Sequence, residues 1–164
     1  MRLILMRHAK SSWDDICQPD HDRILNERGR RNAQAMGDWL REHAYLPDLI
    51  LCSTAARTRE TLRLLRLDAP VRYEDRLYHA SADTLLTSLQ DVDGKAVLIV
   101  AHNPGIGTFA SRMLKRRPTH PRFANYPTCA TLVARFDIAD WSSVSPGIGA
   151  AEAFIVPRDL PGQQ

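Results

Sequence analysis

The 164-residue chain predicts an α/β fold, a three-layer α/β/α sandwich around a mostly parallel central sheet. Three observations carry this. Short, wholly apolar runs (Leu3 to Met6, Leu49 to Cys52 and Ala96 to Ala101) have the composition of strands buried on both faces of a parallel sheet. Longer stretches with apolar residues at helical spacing separate them, as strand-helix-strand crossovers require. Each run ends abruptly in polar residues, and in open α/β sheets ligands bind outside the carboxyl ends of the strands.

The first run delivers Arg7-His8-Ala9-Lys10 to that crevice, and a polar loop, Ser11 to Asp22, rims it. Asn26 is a plausible N-cap for a helix reaching about His43, with Ala33, Met36 and Leu40 on its core stripe. Gly29 and Gly37 each cost such a helix about 1 kcal/mol relative to alanine, a cost that close packing on the sheet would offset. Pro47 precedes the second strand. Ser53 to Thr58 then opens a helix to about Leu67 that carries Arg57 near its first turn, with Leu62 and Leu65 facing inward.

Val71 to Tyr73 is an edge-like strand, followed by the polar segment Glu74 to His79. Ser81 caps a helix to about Gln90, and Gly94 turns the chain into the Ala96 strand, which runs into His102-Asn103-Pro104-Gly105. A helix from about Gly107 to Lys115 offers Phe109 and Met113 to the core. Arg117 to Thr128 reads as a proline-rich ordered loop. Cys129 to Phe136 and Ala151 to Val156 are strand-like, and the connection holding Asp140, Trp141, Pro146, Gly147 and Gly149 is expected on the surface.

The length suits one domain spanning 1–164, since a chain near this size buries roughly 70% of its unfolded surface. Three cysteines, Cys17, Cys52 and Cys129, show no paired or CxxC spacing and support neither a disulfide framework nor a zinc knuckle. No signal-peptide pattern or membrane-length apolar run is present, so a cytoplasmic location is expected. The net charge is +3. Lys115-Arg116-Arg117 and the Arg59, Arg63, Arg66 series lack interleaved aromatics, so a solvated face is a better reading than nucleic-acid binding.

Taken singly, each of Arg7, His8, Arg57 and His102 is more readily structural than functional. Together, at the ends of apolar runs, they resemble the histidine phosphatase superfamily. MRHAKSSW (Met6 to Trp13), VAHNPG (Val100 to Gly105) and PRDLPG (Pro157 to Gly162) resemble its short branch, the SixA-type phosphohistidine phosphatases. The resemblance implies a phosphoglycerate mutase-like form of the sandwich and a metal-independent phosphatase without cofactor. Neither HExxH, His-x-His nor a P-loop is present.

Phosphoryl transfer needs an in-line nucleophile and donors around the equatorial oxygens. His8 is the expected nucleophile, forming a phosphohistidine that water hydrolyses. A backbone carbonyl on its other nitrogen would fix the tautomer. Arg7 and Arg57 would lower its pKa and clamp the phosphoryl oxygens, and His102 would be a further donor. Lys10, Ser11, Asn103 and His79 are candidate substrate contacts, and phosphate or another oxyanion is the expected occupant.

Where the broader superfamily commonly carries a glutamate as general acid, Leu77-Tyr78-His79 places His79. Ala9 and Asn103 stand where glycines are usual, and both fit the SixA-type branch. A missing acid favours the P–N bond, because a protonated phosphohistidine leaves as neutral imidazole. Glu74, Asp75 or His79 remain candidate acids. The expected substrate is therefore a histidine-phosphorylated protein such as a phosphotransfer domain. The alternatives are a phosphatase of a small phosphorylated metabolite and a non-catalytic phosphoryl-binding module.

Overall fold

The computed structural model describes Met1 to Gln163; Gln164, the last residue of the predicted unit, lies outside the described residues. Six strands, β1 (Arg2–Arg7), β2 (Leu49–Ser53), β3 (Val71–Glu74), β4 (Ala96–Ala101), β5 (Thr131–Arg135) and β6 (Ala150–Ile155), form one sheet in the order β3-β2-β4-β1-β5-β6. The first four in that order are parallel, and β5 and β6 add antiparallel at the β1 edge. The fold is phosphoglycerate mutase-like.

The strand alternation explains the layers. Successive side chains point to opposite faces, so Leu3, Leu5, Val97 and Ile99 face one core while Ile4, Met6, Leu98 and Val100 face the other. Helices α1 (Glu27–Glu42) and α2 (Ala56–Leu65) cover the second face through Ala33, Met36, Leu40, Leu62 and Leu65. Helices α3 (Ala82–Gln90) and α4 (Gly105–Met113) cover the first through Leu85, Leu89, Ile106, Phe109 and Met113. Asn26 and Ser81 cap α1 and α3 with side-chain oxygens, as the sequence predicts. No helix among the described residues is long and apolar enough to cross a membrane.

Four expectations need correction. The glycines of α1 do not pack on the sheet face: a Cβ on Gly29 would lie 2.1 Å from the Lys10 carbonyl oxygen, and one on Gly37 would lie 2.3 Å from that of Leu65. They let α1 approach the backbone beyond β1 and the end of α2. Helix α2 stops at Leu65, where Arg66 adopts a left-handed conformation, φ 53°. Helix α4 begins at Gly105 and ends at Met113, because Leu114 and Lys115 turn extended to meet Gly149. Trp141 is fully buried rather than on the surface, and its indole donates to the Gly94 carbonyl at 2.9 Å.

Candidate active site

Sheet register builds the site. Arg7 pairs with Ala101 across β1 and β4, so the next residues, His8 and His102, leave neighbouring strands side by side, with ring centroids 5.2 Å apart. Ser53 closes β2 on the other flank of β4, and its hydroxyl lies 2.8 Å from His102 Nε2. The buried runs end together, and the chemistry collects there.

His8 is held at the backbone and at both ring nitrogens. Its amide donates to Ala101 and its carbonyl accepts from Cys129. Nδ1 lies 2.7 Å from the Ala9 carbonyl, which can only accept, so Nδ1 carries the proton. Nε2 then keeps a lone pair, and Arg57 Nε donates to it at 3.3 Å. Burial, with help from the Arg57, Arg7 and Arg23 charges, outweighs the Ala9 hydrogen bond and holds the His8 pKa at about 3. The imidazole is neutral at any physiological pH.

Arg57 comes from the first turn of α2. Thr61 fastens that turn to the His8 strand end, receiving the Ala9 amide at 3.0 Å and donating to the Arg57 carbonyl at 2.7 Å. The guanidinium is buried, and besides His8 it bonds Asp20: Nη1 donates to its carbonyl at 2.7 Å and Nη2 to Oδ2 at 3.1 Å. Asp20 Oδ2 also receives Tyr78 Oη at 2.5 Å and lies 3.3 Å from His79 Nε2. Oδ1 takes two hydrogen bonds from Arg23, whose guanidinium stacks 3.6 Å over Trp13. Burial raises the Asp20 pKa, but the Tyr78, Arg57 and Arg23 contacts prevail and hold the carboxyl well below the usual carboxylate range.

His102 is neutral too. Burial and the neighbouring His8, Arg57 and His79 lower its pKa to about 2, with Asp20 opposing. Its Nδ1 is buried and has no partner among the described residues. If Nε2 accepts the Ser53 hydroxyl, Nδ1 carries a proton free for an incoming oxygen.

Arg7 precedes His8 on β1; its Nη1 donates to the Tyr126 carbonyl at 3.2 Å and its Nε has no partner among the described residues. Burial and Arg57 both lower its pKa. The structure thus brings His8, Arg7, Arg57 and His102 together, with His79 beside them at 5.6 Å from the His102 ring. Asn103 plays a local part: its amide donates to the carbonyls of Asn125 and Tyr126, which anchors the loop that holds Arg7. Lys10 is exposed, and neither it nor Ser11, buried in a bridge to Leu25, makes a hydrogen bond to those four.

Of the candidate acids, Glu74 is paired with Arg72 and Arg76. Asp75 accepts from Thr54 at 2.7 Å. Asp20, Ser53, Tyr78 and Arg23 are neighbours of the site side chains, and the sequence alone does not single them out. Ser53 follows a buried strand, the same signal that marks His8 and His102. Asp20 sits in a polar loop, where nothing local sets one carboxylate apart from Asp14, Asp15 or Asp22. Among the described residues no group of three or more histidine, cysteine or carboxylate side chains could hold a metal ion.

Residues 3–85 match the sequence profile of the histidine phosphatase superfamily, branch 1. An uncharacterized protein of Mycobacterium tuberculosis is 38% identical over 160 residues, covering 93% of this chain and all of that one. The phosphohistidine phosphatase SixA homolog of Haemophilus influenzae is 27% identical over 132 residues, covering 71% of this chain and 79% of its own. A structure from Nakamurella multipartitia, assigned as a phosphohistidine phosphatase SixA, superposes with a TM-score of 0.79 at 31% identity, covering 95% of each chain. The strand-end histidines and arginines and these matches converge: the chain belongs to the histidine phosphatase superfamily, branch 1, and is a phosphatase of the hydrolase class.

Proposed function

We propose that this phosphatase removes phosphoryl groups from histidine side chains of proteins, through a covalent phosphohistidine on His8. The observation that carries the reading is the state of His8: a buried neutral ring with Nδ1 tied to the Ala9 carbonyl and the Nε2 lone pair turned to Arg57. That pair forms the new N–P bond while the substrate N–P bond breaks, and its electrons return to the departing imidazole. Arg57, Arg7 and the free Nδ1 of His102 supply the charge and donors for the equatorial oxygens. Water then attacks the phosphohistidine, phosphate leaves, and His8 regains its lone pair.

The leaving group argues for the P–N bond. A phosphate monoester departs as an alkoxide and benefits from a general acid. Here Glu74 and Asp75 are engaged elsewhere, Asp20 is ionised, and His79 Nε2 faces the Asp20 carboxylate at 3.3 Å. Phosphohistidine, protonated on its second nitrogen, needs no acid. The likeness to the SixA homolog and the SixA-assigned structure supports the same substrate class. The reading includes a histidine-phosphorylated protein as partner, no nucleic acid, a cytoplasmic location, and Lys10, Ser11 and His79 as contacts to the phosphoryl carrier.

The test is phosphate release from a histidine-phosphorylated phosphotransfer domain by the wild type and His8→Ala, beside a panel of phosphomonoesters. Release that His8→Ala abolishes is expected. Inertness toward the phosphoprotein with His8-dependent cleavage of a monoester would transfer the assignment to a small phosphorylated metabolite.

A further inference from the structure

We propose that Asp20 selects the leaving group, accepting the N–H of a departing imidazole and disfavouring a departing alkoxide. The inference rests on the phosphohistidine reading above and gives it a residue that enforces the choice. The Arg57 guanidinium bridges the two groups, Nε to His8 Nε2 at 3.3 Å and Nη2 to Asp20 Oδ2 at 3.1 Å. From His8 the rings step to His102 at 5.2 Å, then to Tyr78 at 5.4 Å and His79 at 5.6 Å. Asp20 Oδ2 touches both of these last two. The wall made by Asp20, Tyr78 and His79 therefore borders the site beside Arg57 and His102. In-line displacement sends the leaving atom away from the nucleophile, and this wall is a polar surface built to receive it.

The carboxylate is a built feature of the wall. Arg23, itself 7% exposed, grips Oδ1 through two hydrogen bonds, and the Asp20 carbonyl is fixed independently by Arg57 Nη1. In this setting Asp20 stays anionic, since four donors face it and each stabilises the charge. An ionised carboxylate accepts and cannot donate. For phosphohistidine the chemistry balances without proton transfer: the His8 pair makes one N–P bond, the substrate N–P bond breaks onto its own ring nitrogen, and the ring leaves neutral. Its remaining N–H donates to Oδ2. For an alkyl ester the broken P–O bond leaves its electron pair on an oxygen that needs a proton. Asp20 has none to give, and its charge repels the developing alkoxide.

The experiment compares wild type, Asp20→Asn and Asp20→Glu on a histidine-phosphorylated peptide and on aryl phosphates whose leaving groups span several pKa units. Wild type should cleave aryl phosphates with a steep dependence on leaving-group pKa. Asp20→Asn should lose about ten- to a hundredfold in kcat/KM on the phosphopeptide, the scale of a hydrogen bond to a charged group, while turnover of the aryl phosphates with poor leaving groups rises, because the charge that opposes them is gone. Asp20→Glu should restore most of the loss. The aryl phosphate activity of Asp20→Asn reports that the site is still assembled. An equal fall on both substrates, or no fall, overturns the inference while wild-type turnover of the phosphopeptide keeps the functional reading. A shallow leaving-group dependence in the wild type, which needs no variant, overturns it as well. A wild type inert on the phosphopeptide and active on the esters overturns both.

Discussion

Arg57 Nε donates to His8 Nε2 across 3.3 Å, so the guanidinium touches the atom that would attack phosphorus. This contact orients the Nε2 lone pair, and in the proposed reaction a phosphoryl oxygen takes its place on Arg57. Arg57→Lys keeps a charge and loses the planar fork. Its kcat/KM should fall by about 10²- to 10³-fold, with His8→Ala lower still. Steady-state rates on p-nitrophenyl phosphate measure this, and a fall of less than tenfold for Arg57→Lys would contradict the clamp.

Stability should depend on pH through the two buried histidines. Their folded pKa values, about 3 for His8 and about 2 for His102, lie below the ordinary 6.5. In the window from 6.5 down to these values the unfolded chain binds protons that the folded chain refuses, so stability rises with pH and falls on acidification. The slope is at most about 1.4 kcal/mol per pH unit for each ring. Denaturant unfolding at pH 5, 6, 7 and 8 would show it, and His8→Asn should reduce the slope by about half. Equal stability at pH 5 and pH 7 is the adverse result.

Asn103 offers a test of second-hand positioning. Its amide and Arg7 Nη1 share the Tyr126 carbonyl, at 3.0 Å and 3.2 Å. Asn103→Ala should cost about 1–2 kcal/mol of stability and roughly tenfold in kcat, as Arg7 loses its fixed support. Asn103→Asp would set a carboxylate against two carbonyls and should be worse. Chemical denaturation and initial rates on the two variants distinguish this from a direct contact, for which KM alone would rise.

Gly29→Ala sets two effects against each other. Helix propensity favours alanine by about 1 kcal/mol. The new Cβ, however, would lie 2.1 Å from the Lys10 carbonyl oxygen, a backbone atom that cannot rotate away. Overpacking of this kind costs about 1–3 kcal/mol or more, so net destabilisation is expected, seen as a lower Tm in a thermal melt. A rise in Tm would show that α1 can pull back from the strand end.

The three inner parallel strands and their terminal residues were readable because wholly apolar runs have few alternative placements. Leu3 to Met6 and Ala96 to Ala101 had to be central, and Arg7, His8 and His102 followed from their position. Asn26 and Ser81 were readable because N-capping uses local chemistry. Trp141 was not, because its burial depends on the Gly94 carbonyl, 47 positions away. Asp20 escaped for the same reason: the partners that distinguish it, Arg57, Tyr78 and His79, come from other segments of the chain. Its role emerges only when β2, α2 and the 75–79 turn stand together.

The cysteines now divide sharply in accessibility. Cys52 and Cys129 lie in the core with thiol pKa values pushed up to about 12 by burial, whereas Cys17 is exposed, three positions before Asp20. Thiolate is the reactive form, so a maleimide dye would couple at Cys17 and spare the other two. The native chain thus carries a single accessible thiol on the loop that holds the carboxylate, and a fluorophore can be placed there without engineering any residue.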